Sequence, residues 1–270
     1  MGKLKSWVFY AAVLALIALA GTAHSTATIA YPDFANLSAF TLNGNALDVG
    51  NPVLSNGRLV LRLTPALDSQ VGSAYLTQSL PLSKCLSFRS SFSFQISQPS
   101  QNGADGLTLA IQSVGPSALG APGYGLGYQG VGRSLAVEFD TYDSGRGTDR
   151  NNGNHVGLDL NGDVTAVVQY NVPTSMKNGA VWYAWVDYDG LKKLLEVRIS
   201  ETSTRPVAAQ LSHTVNLAEI LGPNPAWIGF TAATGGEWQV HDILSWNFSY
   251  ITPGMSTPLI NSVILGILGD

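Results

Sequence analysis

Beyond residue 87 the chain alternates short apolar runs with clusters of Gly, Pro, Asn and Asp, at the spacing of strands and not of helices. Residues 88–96 alternate apolar and polar positions, 107–111 are mainly apolar, and 135–141 and 156–160 flank an acidic, Gly-rich loop. Residues 164–170, 180–187, 194–200, 227–232 and 243–250, rich in Val, Ile, Trp, Tyr and Phe, continue the series. Helical spacing is confined to 215–221, where Gly222 and Pro223 stop it. Many short strands joined by hairpin loops predict an all-β protein, a large antiparallel β-sandwich of jelly-roll type. No internal repeat or low-complexity segment interrupts it.

The first residues have a different pattern. Lys3 and Lys5 precede an apolar run over 7–20, and small residues follow at Gly21 and Ala23. This predicts a secretory signal peptide, residues 1–24, because the run is short and lies at the terminus. No second apolar run of spanning length follows, so the mature chain is expected to be secreted and without a membrane span. One domain over 25–252 and a C-terminal tail over 253–270 are expected. The apolar stretch 259–268 in that tail is a weak lipid-anchor signal.

Composition removes other classes. Charged residues are 12% of the 270 and the net charge is −4, which leaves no basic stripe for nucleic acid. The single cysteine, Cys85, cannot form an internal disulfide and reads as a buried apolar residue. A secreted domain without such bridges must rest on a large core, helped by bound metal.

Candidate chemistry concentrates in residues 135–162, LAVEFDTYDSGRGTDRNNGNHVGLDLNG. Side chains alternate along a strand, so Glu138 and Asp140 share one face while Val137 and Phe139 face a core. Two carboxylates held together need a proton or a cation between them. Asp149 and His155, returned by the loop, are further donors for a hard cation.

GADGLTLAI at 103–111, GYGLGY at 123–128, LAVEFDTY at 135–142, NHVGLDLNG at 154–162 and IGFTAATGGEW at 228–238, with HDILSWNF after it, form an ordered set. In this order they resemble the legume-type (L-type) lectins, concanavalin-like sugar-binding sandwiches dependent on Ca²⁺ and Mn²⁺. The resemblance covers nearly all the mature chain. The NGNHVG variant and its short loop are also similar to bacterial members.

The resemblance assigns Glu138, Asp140, Asp149 and His155 to a transition-metal ion, normally Mn²⁺. It assigns Asp140, Asp149 and the Tyr142 carbonyl to Ca²⁺. The imidazole suits a transition ion and the all-oxygen set suits calcium. One position departs from the family: Ser144 stands where an asparagine would ligate Ca²⁺ and offer its amide to the sugar. A hydroxyl is a weaker ligand without that amide. Asp143, Asn151 or Asn152 are alternative donors, and loss of sugar binding is a further alternative.

The same alignment implies a sugar pocket. Asp105 would be the carboxylate acceptor, with a cis peptide before it. Backbone donors are expected at Gly123, Tyr124 or Gly125, with the register falling on Gly123 or Tyr124 according to the direction of counting. Tyr142 would supply the stacking ring beside Ser144, and Gly236 and Glu237 further backbone donors. Trp238 would pack in the core or at the rim. Calcium is expected to shape this pocket, so metal removal should abolish binding. Glycans or glycoproteins are the implied partners, mannose- or glucose-type by default, and a dimer or tetramer through the flat sheet face is implied.

Other readings compete. Glu138-Phe-Asp140-Thr-Tyr-Asp143 resembles the E-x-D-x-x-E run of retaining jelly-roll glucanases, which need two carboxyls roughly 5 to 5.5 Å apart. That reading has Asp for the third acid and gives Asp149 and His155 no role, so the protein is not expected to be an enzyme. Ser144 favours a third reading, a metal-stabilised sandwich that no longer binds sugar and acts as an interaction module.

Overall fold

The computed structural model describes residues 24–82, 87–147 and 151–253. In chain order the strands are β1 (His24–Tyr31), β2 (Phe40–Gly44), β3 (Val53–Ser55), β4 (Arg58–Thr64), β5 (Val71–Leu76), β6 (Ser87–Ser97), β7 (Gly106–Gln112) and β8 (Ser134–Asp140). They continue as β9 (His155–Leu160), β10 (Asp163–Asn171), β11 (Val181–Asp189), β12 (Leu194–Ser200), β13 (Leu211–Thr214), β14 (Trp227–Ala233) and β15 (Val240–Pro253). The helices are α1 (Asn45–Asp48) and α2 (Leu217–Leu221). The expected leader, apart from His24, together with Cys85, Asp149 and the tail beyond Pro253, lies outside the described residues.

Two antiparallel sheets face each other. The first has the order β13-β12-β11-β6-β15-β4-β3, with β1 added along β15; the second runs β10-β9-β8-β7-β14-β5-β2. Every strand expected after residue 87 is present, and the expected helix over 215–221 is α2. The pattern predicts nothing before residue 88, yet β1 to β5 form there. They are short runs interrupted by Asn, Gly and Pro, and their partners include β14 and β15, far along the chain. One local signal is visible: Asn56-Gly57, both at positive φ, make a two-residue hairpin turn from β3 to β4.

The core lies between the sheets, where inward residues of β6, β7, β8, β14 and β15 meet. Phe230 of β14 packs edge-on against Phe92 of β6 at 5.1 Å and Trp246 of β15 at 5.2 Å. Such pairs contribute about 0.5–1.5 kcal/mol each beyond their buried area.

Strands β7 and β8 are buried on both faces. Ala118, Tyr128 and Val131 from the β7–β8 connection fold over the outer side of the second sheet and cluster with Tyr75, Ala110, Ala136 and Val164. The outward residues Thr108, Glu138 and Asp140 are therefore buried polar positions, and buried carboxylates require partners.

Candidate functional site

Strand register brings the acids and the histidine together. Glu138 sits opposite Thr108 on β7 and Gly157 on β9, while Asp140 sits opposite Gly106 and His155. The glycine leaves the Glu138 carboxylate its space: a methyl group on Gly157 would overlap Oε1. Ligand atoms of Glu138, Asp140 and His155 all lie within 4.8 Å of one another, and all three residues are buried.

His155 Nδ1 is 2.7 Å from the Asn152 carbonyl, which only accepts, so Nδ1 carries a proton, and with Nε2 unprotonated the ring offers a lone pair there. That lone pair faces Glu138 Oε1 at 3.0 Å. Two acceptors at this distance need a proton or a cation between them. Two carboxylates and one imidazole suit a borderline transition ion, so the residues present fit the metal that the resemblance implies.

Asp159, on the same face of β9, adds a third acid that the sequence reading did not single out. It is fully buried. Burial first, and the neighbouring Glu138 second, raise its pKa well above the ordinary range. Ionised, it would leave both oxygens without partners. Protonated, it can donate to Glu138.

At the end of β8 the Tyr142 N–H donates to Asp140 Oδ1 at 2.7 Å. Gly153 lies beneath the Tyr142–Asp143 peptide, where any side chain would overlap backbone. Asp143 accepts from the Gly145 N–H at 2.9 Å and Ser144 Oγ from the Arg146 N–H at 3.4 Å, so both bond within their own turn. Asn152 acts through its carbonyl on His155, and its side chain accepts from the Asn154 N–H at 2.7 Å. Asn151 is exposed.

Beside this cluster the loops carrying Asp105, Gly123 and Gly235 converge. Asp105 is 5% exposed and follows a cis peptide from Ala104, as the resemblance implies. Its N–H donates to the Ala233 carbonyl at 3.0 Å, and its carbonyl accepts from Thr141 N–H and Oγ1, each at 2.8 Å. A methyl group on Gly235 would lie 3.3 Å from Asp105 Oδ2, and one on Gly123 4.0 Å from it. The expectation of free donors along 123–125 needs correction. Gly123 N–H donates to the Thr234 carbonyl at 3.1 Å and Gly125 N–H to Pro122 at 3.2 Å, closing the turn and leaving Tyr124 as its candidate donor. The Arg146 guanidinium lies 4.5 Å from the centroid of the Tyr124 ring.

In the turn after β14 Gly236 is exposed, and a methyl group on it would meet no other atom within 4 Å. The Glu237 carbonyl accepts from the Gly235 N–H at 3.1 Å. Its carboxylate turns back onto Ser100 Oγ and onto Asn102, through the N–H at 3.3 Å and Nδ2 at 3.0 Å. The Ser100 bond above all holds its pKa below the usual value. Trp238 is half-buried, its N–H donating to Ser100 Oγ at 2.9 Å.

Two further contributors lie outside the motif readings. Lys177, between β10 and β11, donates Nζ to the carbonyls of Thr141 at 2.7 Å, Gly103 at 3.1 Å and Asn102. Gln239 donates Nε2 to Thr141 Oγ1 at 2.5 Å and to His241 Nε2 at 2.9 Å. The other nitrogen of His241 donates to Thr64 Oγ1 at 2.6 Å. Burial lowers the His241 pKa to about 3, so the ring is neutral. The alternation Gln239-Val240-His241 signals a shared face, but nothing in the sequence places it against Thr141.

Residues 27–261 match the family model of the legume lectin domain. The chain belongs to the legume lectin family. Lectin domains of this family bind carbohydrate, are not enzymes, and generally hold Ca and Mn, so the glucanase reading falls. The α-methyl-mannoside-specific lectin of Arachis hypogaea is 31% identical over 175 residues, 60% of this chain and 59% of that protein. The lectin of Pisum sativum is 29% identical over 215 residues, 73% of this chain and 76% of that protein. The L-type lectin-domain containing receptor kinase VIII.2 of Arabidopsis thaliana is 37% identical over 117 residues, 43% of this chain. The matches to receptor kinases VIII.2 and I.5 take in only 16% and 35% of those proteins. Among solved structures, a Bauhinia forficata lectin in complex with GalNAc aligns with a TM-score of 0.72 and 27% identity, covering 85% of this legume lectin chain and 100% of that one. These relatives are plant proteins, and the bacterial resemblance gains no support from them.

Proposed function

We propose that this protein is a secreted lectin, led by the signal peptide 1–24, that binds mannose- or glucose-type glycans between Asp105, Tyr124, the 235–237 turn and the ring of Tyr142. The observation that carries the reading is the buried Asp105 carboxylate facing Gly123 and Gly235. Backbone without side chains lets a ligand come close, and a carboxylate makes the stronger, charge-assisted hydrogen bonds to sugar hydroxyls. The name of the Arachis hypogaea relative favours a mannoside; the Bauhinia forficata complex with GalNAc makes a galactose-type sugar the competing outcome.

Glu138, Asp140 and His155, joined by Asp149, would hold Mn²⁺ or another transition ion. Asp140, Asp149, the Tyr142 carbonyl and either Ser144 or Asp143 would hold Ca²⁺. Bound ions supply positive charge that neutralises the clustered acids and orders the loop after β8. Single lectin sites are usually weak, so a dimer or tetramer through the flat outer face of the first sheet would supply avidity.

A glycan array read with native protein and Asp105→Asn, each with and without chelator, tests the proposal. Binding that chelator weakens and that Asp105→Asn loses is the expected result. Silence across mannose, glucose, galactose and their oligomers would favour the interaction module instead.

A further inference from the structure

The turn that presents Asp105 is held from several sides. The Glu237 carboxylate takes Ser100 Oγ and both donors of Asn102, while backbone bonds tie Asp105 to Ala233 and Thr141. On the remaining side Lys177 reaches in from the β10–β11 connection and donates to the carbonyls of Asn102, Gly103 and Thr141. An ammonium has three donors and no acceptor, so these carbonyls complete its shell.

The arrangement is that of a cation site. Carbonyl oxygens converging from separate segments are the ligands that a hard cation selects, and here the cation is part of the chain. Partial burial lowers its pKa, and the nearby charges of Asp140 and then Glu237 offset that only in part. Asp143 and Ser144 bond within their own exposed turn, and a hydroxyl stands where the family has an amide.

We propose that Lys177 is a positioning residue, a tethered cation that pins the 102–105 turn to the end of β8 so that Asp105 stays presented when calcium is withdrawn. Its consequence for sugar affinity rests on the carbohydrate reading above; the clamp itself does not. Lys177 and the metal share one task, and losing both is worse than the separate losses combined.

The test compares native protein, Lys177→Met and Lys177→Arg, each metal-loaded and chelated, in two readouts. The first is the Kd for methyl α-mannoside; the second is amide hydrogen exchange over residues 100–106 without sugar. Chelation should weaken native binding by no more than about tenfold and that of Lys177→Met by about a hundredfold or more. In chelator, exchange over 100–106 should be about tenfold faster in Lys177→Met than in native protein. Strands β7 and β14 should be unchanged, and Lys177→Arg should restore most of the protection. Equal exchange in native and Lys177→Met, or equal chelation penalties, would overturn the clamp. Should no variant bind sugar, the carbohydrate reading fails and the exchange comparison alone decides. Lys177→Gln replaces Lys177→Met if β7 and β14 show that the latter does not fold.

Discussion

Gly157 lies directly across the β8–β9 pair from Glu138, and a methyl group placed on it would overlap Glu138 Oε1. The absent side chain is what lets the carboxylate reach His155 Nε2 at 3.0 Å. Gly157→Ala should push Glu138 out of line, cost about 1–3 kcal/mol as overpacking, and weaken Mn²⁺ binding by about 10- to 100-fold. Metal titration by calorimetry, with a urea melt of the same samples, reads both effects. Full Mn²⁺ affinity in the alanine variant would mean that Glu138 does not depend on this neighbour.

Asp105 lies outside the Glu138–Asp140–His155 cluster, so its charge can be removed without taking away a metal donor. Asp105→Asn keeps the shape and loses the charge-assisted hydrogen bonds, about 1.5–3 kcal/mol or roughly a 10- to 100-fold rise in the sugar Kd. Metal content by mass spectrometry should match the native protein. Unimpaired sugar binding would remove Asp105 from the pocket.

Much of this site is visible in the sequence because it is built on strand alternation. Glu138, Asp140 and His155 meet through the pairing of β8 and β9, which the period of two predicts once both strands are recognised. Asp159 and Gly157 follow the same alternation and were legible in principle. Lys177 and Gln239 were not, because each reaches the site through a tertiary contact between segments far apart in sequence. The strands before residue 88 escape for a related reason: β5 pairs with β14 about 150 residues later, and no local period encodes that partnership. The turn at 123–125 marks a different limit. Glycine spacing identifies it, but only folded geometry reveals that the N–H groups of Gly123 and Gly125 close on Thr234 and Pro122.

Phe230 joins the two sheets through its edge contacts with Phe92 and Trp246 and is fully buried. Phe230→Ala should cost about 3–5 kcal/mol, the range for a large aromatic truncated in a core that cannot collapse around the gap. The urea midpoint should fall with little change in slope, since the surface exposed on unfolding is nearly unaltered. A loss below about 1 kcal/mol would mean that the inter-sheet core repacks freely.

His241 links the first sheet to the loop carrying Asp105 through Thr64, Gln239, Thr141 and the Asp105 carbonyl, and this chain of bonds requires a neutral ring. Burial lowers its pKa from 6.5 to about 3. The unfolded chain takes up the proton as the pH drops below 6.5, while the folded protein resists until about 3. The neutral ring's contribution to stability is therefore complete above pH 6.5 and is lost progressively as the pH falls towards 3. At about 1.4 kcal/mol per pH unit, the loss from this group between pH 6.5 and 4.5 should be about 2–3 kcal/mol. Carboxylates add their own acid dependence, so the measurement is a comparison: urea unfolding of native protein and His241→Gln at pH 4.5, 5.5 and 6.5. The variant should be less stable at pH 6.5 and show a shallower decline by that amount. Parallel declines would mean that the folded protein accepts a proton on His241 near the ordinary pKa.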